Sequence, residues 1–392
     1  MQIFAASRQA IAGFVLGSVT IGTACARGSQ QPQSSSNSVQ KTASLKTLFA
    51  KDFMVGAAIN SDQFEERDIK GAALIKEQFN TISPENVLKW EKVHPTRGTY
   101  DFAPADKYVA FGVNNKMFVI GHTLVWHSQV PRWVFQDDAG KPVSRDTLLG
   151  RMRDHIMTVV GRYKGRIKGW DVVNEALNED GTLRKSQWFN IIGEDYLVKA
   201  FQYAHEADPN AELYYNDYSL ENPAKRAGAV KLIKTLQAAG VKIHAIGSQA
   251  HMKMDWPSVG LEDSTITIFA AAGVKVNITE LDIDVLPSTS RNRTADVSLR
   301  IQANKALNPW PDALPDSAQT ALAKKYGEMF KVFRKHSADI ERITFWGVSD
   351  GDSWLNGWPI PGRTSYPLPF DRQHRPKPAF DSIAATVRSP RI

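Results

Sequence analysis

Two glutamates close apolar runs in the same way. Glu175 follows Val172-Val173-Asn174 in "WDVVNEAL" (170–177), and Glu280 follows Ile278-Thr279 in "VNITELD" (276–282). An unpaired buried carboxylate is costly. Each therefore points into solvent or sits in a cleft with a task. Two carboxyl groups facing one cleft can cleave a glycosidic bond: one protonates the leaving oxygen and the other attacks the anomeric carbon. A separation of about 5–5.5 Å implies retention of configuration, and a wider gap inversion. The two groups must differ in pKa. The acid is raised by burial and by its anionic neighbour, while the nucleophile stays ionised through hydrogen bonds. Donors stand ready for Glu280: His251, with Asp282 to orient it. Asn174, beside Glu175, suits a sugar hydroxyl in the transition state. A lone glutamate at a strand end is most simply a structural ion pair. Two of them, ringed by His, Gln and Asn, are not.

Aromatic residues lie near the same strand ends: Trp90, Trp126, Trp133, Tyr218, Trp346 and Trp354. Trp faces stack on the apolar C–H patches of sugars, although Trp is also mostly buried in cores. Trp170, inside its strand, reads as core. Trp346 and Trp354, in "FWGVSDGDSWL", read as exposed at the cleft. No metal site is expected. His122 and His127 are five apart on an extended segment and face opposite sides, and the sequence has neither HxH nor HExxH. His122 reads as a sugar-hydroxyl partner and His127 as structural. A serine nucleophile lacks its G-x-S-x-G elbow.

The elements that position these residues alternate along the chain. Eight β-branched or apolar runs occur, at 52–60, 79–86, 117–126, 167–175, 212–219, 245–252, 274–283 and 343–350. Helical spacing fills the intervals: Leu148, Met152, Ile156 and Val159 share one face, and the segment ending at Gly240 has a glycine helix stop. Eight β and α units in about 340 residues predict a single (β/α)8 TIM barrel, an α/β fold. A doubly wound sheet would more often carry a Gly-rich phosphate loop after its first strand, and none is present. In a barrel the C-terminal strand ends share one face, so Glu175 at the end of the fourth run faces a common cleft.

Composition agrees with a globular chain of 392 residues, 42% hydrophobic and 23% charged, with ten Trp. The net charge of +7 is spread without a dense basic run, so no nucleic-acid surface is expected. Residues 10–24, after Arg8, are apolar and small, and Ala24-Cys25-Ala26 forms an A-x-A pattern. This reads as a signal peptide over 1–26 and implies export, to the periplasm or outside the cell. Cys25 is the single cysteine, so no intrachain disulfide forms. "GTAC" also fits a lipoprotein signal ending before Cys25, which would anchor the chain to a membrane by lipid alone. Gly22, standing where such signals usually carry Leu, favours simple cleavage. Residues 27–44, rich in Ser, Gln and Asn, read as a flexible polar leader, with the catalytic domain over 45–392.

The stretches "SPENVLKWE", "GHTLVWHSQVPRW", "WDVVNEAL", "YYNDY", "GSQAHM", "ITELDI" and "WGVSDGDSWL" occur in this order. Together they resemble the glycoside hydrolase family 10 endo-β-1,4-xylanases, from about residue 46 to 389. The resemblance implies a (β/α)8 barrel, no cofactor, and retaining hydrolysis of internal xylosidic bonds in xylan and xylo-oligosaccharides. It places the acid/base at Glu175 and the nucleophile at Glu280, supported by His251 and Asp282. It places Glu85, Asn86, Lys89, His122, Trp126, Asn174, Gln249, Trp346 and Trp354 in the glycone subsites. Gln129 and Tyr218 fall at or beside the cleavage point. Leu88 stands where many members have Met. The segment Asp284 to Asp316 is longer than in compact members and is expected to border the cleft on the leaving-group side. No carbohydrate-binding module is expected after the eighth helix, and a monomer is expected. The alternative within this chemistry is a related retaining β-glycanase acting on cellobiosides or mixed-linkage glucan. A non-catalytic polysaccharide-binding barrel would have lost one glutamate, and both are present. A metal-dependent barrel hydrolase would be sensitive to EDTA.

Overall fold

The computed structural model describes residues 13, 44–288 and 295–389. The signal-peptide and lipidation readings, Cys25 included, and nearly all of the leader lie outside them. The fold belongs to the unit Ala43–Ile392. Its first helix, Leu45–Leu48, buries Leu45 and leads into Phe49, whose ring stacks on Phe53 at 5.2 Å.

Nine parallel strands follow, and every connection except the one between the sixth and seventh carries a helix. They are β1 (Met54–Ile59), β2 (Thr81–Pro84), β3 (Phe118–Val125), β4 (Gly169–Asn174), β5 (Glu212–Asp217), β6 (Ala245–Ser248), β7 (His251–Lys253), β8 (Lys275–Asp284) and β9 (Ile340–Phe345). β9 pairs with β1, and β6 pairs with both β5 and β8, so the sheet closes. β6 and β7 are one barrel strand broken at Gln249-Ala250, where Ala250 adopts φ 56°. The result is the (β/α)8 barrel expected from the alternation.

Several strands end earlier than their apolar runs, and for two of them the chain shows why. β2 stops at Pro84, which has no N–H for a ladder. β9 stops at Phe345 because the chain turns through Gly347 at φ 131°, a conformation suited to glycine. The helix Arg145–Arg162 buries Leu148, Met152, Ile156 and Val159 as the spacing requires. The helix Pro223–Ala238 stops before Gly240 at φ 70°. Trp170 is fully buried across the register partner Gly121, where an added Cβ would lie 2.1 Å from the indole. Ile120, Tyr214 and Ala245 form a small core of their own, with Phe118 packed against it. Below it Arg342 lies over the Tyr214 ring at 4.3 Å.

Candidate active site

The strand ends deliver their polar residues to one cleft with about 770 Å³ of empty space. All residues singled out from the sequence as catalytic or substrate-binding line it, except Asp282 and Tyr218.

Glu175 comes first past the end of β4. Its backbone takes φ 56°, uncommon for a residue with a Cβ and costly by about 1–3 kcal/mol. The turn is held at both ends: Glu175 N donates to Asn216 O at 2.9 Å, and Arg184 Nε donates to Glu175 O at 3.1 Å. Its carboxylate accepts from Trp126 Nε1 at 2.8 Å, Gln249 Nε2 at 3.0 Å and Asn174 Nδ2 at 3.1 Å. Burial outweighs these donors and raises the carboxyl to about 7, with the Asp217 anion pushing the same way.

Glu280, inside the long β8, meets the opposite outcome. Burial opposes its charge, but the His251 hydrogen bond, the fields of His122 and His251 and the Asn216 amide together hold its pKa below the ordinary value. Asn216 Nδ2 donates to Glu280 Oε1 at 2.8 Å, and His251 Nε2 lies 3.2 Å from Glu280 Oε2. On its other side His251 Nδ1 is 3.1 Å from Asp282 Oδ2, across the register pair His251↔Asp282. Burial disfavours the imidazolium, but Asp282 and Glu280 dominate and raise it to about 10. A protonated imidazole therefore donates toward both carboxylates. Asp282 thus acts from behind His251, and it also accepts from Trp354 Nε1 at 2.7 Å.

The turn after β2 supplies Glu85, Asn86 and Lys89. Lys89 Nζ donates to Asn86 Oδ1 at 3.1 Å and lies over the Trp126 ring at 5.1 Å. Burial lowers its pKa, against the pull of Glu280, Glu85 and Glu175. Burial also raises Glu85 to about 7. Gln129 Nε2 reaches Glu91 at 3.2 Å and Asn86 at 3.4 Å. His122 Nδ1 is 3.0 Å from Asp171 Oδ2, which leaves Nε2 for the cleft that His122 lines.

Several aromatic expectations are corrected. Trp90 lies in the helix Trp90–Val93 and faces the core, stacked on His155 at 3.7 Å. Trp133 Nε1 is tied to Pro95 O at 3.1 Å and the residue does not line the cleft. Trp346 is only 8% exposed and forms cleft floor, edge-on to His122 at 5.6 Å. Trp354 is half-buried, stacked on Trp358 at 4.2 Å. Tyr218 is buried behind Glu175: its hydroxyl accepts from Arg184 Nη2 at 2.9 Å, and Lys225 Nζ sits 3.5 Å from its ring centroid.

The sequence reading assigned no role to Asn216, Asp171, Asp217, Trp358 or Arg300. A charged residue within the apolar run "GWDVVN" marked Asp171, and the polar end of β5 marked Asn216 and Asp217, but neither signal names a partner. Trp358 and Arg300 line the cleft from loops, where periodicity carries no information.

The profile of glycosyl hydrolase family 10 matches residues 44–386. The chain belongs to glycosyl hydrolase family 10. It is 47% identical to endo-1,4-beta-xylanase A of Xylanibacter ruminicola over 88% of this chain and 93% of that one. It is 43% identical to the beta-1,4-xylanase of Dictyoglomus thermophilum, over 87% and 90% of the two chains. The solved structure of a GH10 endoxylanase from a sugarcane soil metagenome superposes with a TM-score of 0.84 at 47% identity, over 87% of this chain and 99% of the other. Xylanase XynB from Paenibacillus barcinonensis, complexed with a conduramine derivative, gives 0.79 at 37% identity, over 88% and 99%. In this family 10 chain the loop after β8 does border the cleft, through Ala295, Val297 and Arg300. Its Asp296 lies 3.6 Å from Arg184, on the Glu175 side.

Proposed function

We infer that this protein is a retaining endo-1,4-β-xylanase. The observation that carries the reading is the opposed ionisation of two glutamates in one cleft, Glu175 raised to about 7 and Glu280 lowered. Xylan as substrate is supported by relatives named endo-1,4-beta-xylanase.

The reaction follows from the two environments. A xylan chain lies along the cleft with one glycosidic oxygen beside Glu175. A Glu280 carboxylate oxygen attacks the anomeric carbon while the bond to that oxygen breaks, and Glu175 gives the departing oxygen its proton. The sugar is then esterified to Glu280. Esterification removes the Glu280 charge, one of the causes that keep the Glu175 pKa high. Glu175, now a carboxylate, is poised to take a proton from water, which attacks the same carbon and releases Glu280. Two inversions give retention.

The reading is tested by following early hydrolysis of xylohexaose by proton NMR. The β-anomer must appear first and then mutarotate; an α-anomer at the outset would refute the double displacement. Export is proposed on residues 1–26 alone, and mass spectrometry of the mature N-terminus tests it. A chain beginning at Arg27, or at a lipidated Cys25, supports export, and an intact Met1 on exported protein refutes both cleavages.

A further inference from the structure

The loop between β8 and the helix Asp316–Lys335 places a cation in the cleft for which the reaction has no use. Leu299 and Ile301 face a small cavity they share with Trp354, Trp358 and Pro359, and Ile301 N donates to Pro359 O at 2.9 Å. Arg300, between them, faces the other way and lines the cleft that holds Glu175 and Glu280. The other end of the segment is held by Asp296, which accepts from Ser298 N at 2.9 Å and lies 3.6 Å from Arg184. The segment is thus fixed at both ends, and Arg300 is presented by anchors rather than by chance.

Arg300 Nη1 donates to Val297 O at 2.6 Å and to Leu299 O at 2.7 Å. These bonds fix the guanidinium plane without neutralising it. Among the described residues Arg300 makes no ion pair, and its Nε and Nη2 carry no hydrogen bond. That free edge has the two-donor geometry that grips a carboxylate side-on. A neutral xylose or arabinose unit offers nothing to match the charge.

We propose that Arg300 binds the carboxylate of a uronic acid substituent on the xylan chain, so that this enzyme favours acid-decorated xylan. The inference rests on the xylan reading above and adds a substrate class to it. The exposed position limits the gain to the range of a solvent-screened pair that docks in good geometry.

The test compares 4-O-methylglucuronoxylan with the same polymer after its carboxyl groups have been reduced to alcohols. kcat/KM is measured on both for the wild type, Arg300→Gln and Lys164→Gln. Lys164 is exposed before β4 at the opposite end of the barrel, and its loss removes the same charge from the molecule. Taking the ratio of the two polymers within each variant cancels any change in folded fraction. The wild type should prefer the acidic polymer, and Arg300→Gln should cut that ratio by about 2–5-fold. Lys164→Gln should leave it in place. An unchanged ratio in Arg300→Gln, or an equal fall in both variants from loss of general attraction, overturns the proposal. If the wild type cleaves neither polymer, the xylan reading itself fails and this inference falls with it.

Discussion

Asn216 Nδ2 stands 2.8 Å from Glu280 Oε1 and 2.9 Å from Asn174 Oδ1, and Asn174 in turn donates to Glu175 at 3.1 Å. One side-chain amide therefore links the two glutamates through their neighbours. Thr279 Oγ1 fixes its orientation by donating to Asn216 Oδ1 at 2.6 Å. With its oxygen occupied as an acceptor, the amide has only N–H to offer Glu280, which favours the carboxylate over the acid.

Asn216→Ala should therefore raise the Glu280 pKa. The sign is fixed: a lost donor destabilises the anion, so protonation begins at higher pH. The acid limb of the kcat/KM profile should move upward while the alkaline limb stays. A profile that loses height without moving its acid limb would show that Asn216 only holds the scaffold.

Glu280→Ala should abolish turnover, and azide should restore it with an activated aryl xylobioside. The small anion enters the space left by the side chain and attacks from that face, giving a glycosyl azide of inverted configuration. Turnover near the wild-type level would remove Glu280 from the nucleophile's role.

Glu175→Ala should slow xylan hydrolysis by about 10²–10⁴-fold, but spare the first step on aryl glycosides with good leaving groups. An activated phenolate needs no proton to depart. The wild-type kcat/KM should also fall above about pH 7, where Glu175 loses its proton, and the alanine variant should lack that limb. Equal damage to both substrate classes would contradict an acid role.

How far the sequence reaches is clearest around these two residues. Glu175 and Glu280 were legible because each is a charge set in or just after an apolar run, and eight alternating runs bring their C-terminal parts to one face. Asn216 was visible as a polar strand end, but its work depends on Thr279 and Asn174 from two other strands. Spacing along one chain does not state such partnerships. Trp90 misled for a related reason. It follows Lys89, a cleft residue, by one position, and one step around a helix turns its ring toward His155 and the core. Asp217 shows the same limit. Its carboxylate is buried behind Glu175, 2.9 Å from the buried Lys225, and nothing in "YYNDY" announces that pairing.

Asp217→Asn should shift the alkaline limb to lower pH. The Asp217 anion raises the Glu175 pKa, so its neutralisation lowers it, and Lys225, left cationic, acts in the same direction. Breaking a buried pair also costs about 3–5 kcal/mol of stability. Asp217→Asn combined with Lys225→Met removes both charges and recovers part of that loss. A limb that stays near pH 7 in the stable double variant would leave burial and the Glu280 charge as the causes of the raised pKa.

Selectivity for xylan over cellulose should depend on Trp354. Glucose carries a hydroxymethyl group at C5 that xylose lacks, and a rigid wall beside the sugar excludes it. Trp354 is such a wall: Asp282 accepts its indole N–H at 2.7 Å, and Trp358 stacks behind it at 4.2 Å and 10°. Held on two sides, the ring cannot yield to a larger sugar. A steric clash against a fixed group discriminates more strongly than the roughly 1–3 kcal/mol of one methylene in an apolar pocket. Trp354→Ala should lower kcat/KM on an aryl xylobioside through lost stacking, and lower it less on an aryl cellobioside, because the clash is relieved as the stacking goes. The loss of the Asp282 hydrogen bond disturbs His251 and Glu280 equally for both substrates, so the ratio of the two is insulated from it. That ratio should move toward the cellobioside by about tenfold, near 1.4 kcal/mol. If it does not move, the gate lies instead at Glu85, Asn86 and Lys89, which line the same cleft. A wild type that prefers the cellobioside from the start would favour the β-glucan reading over xylan.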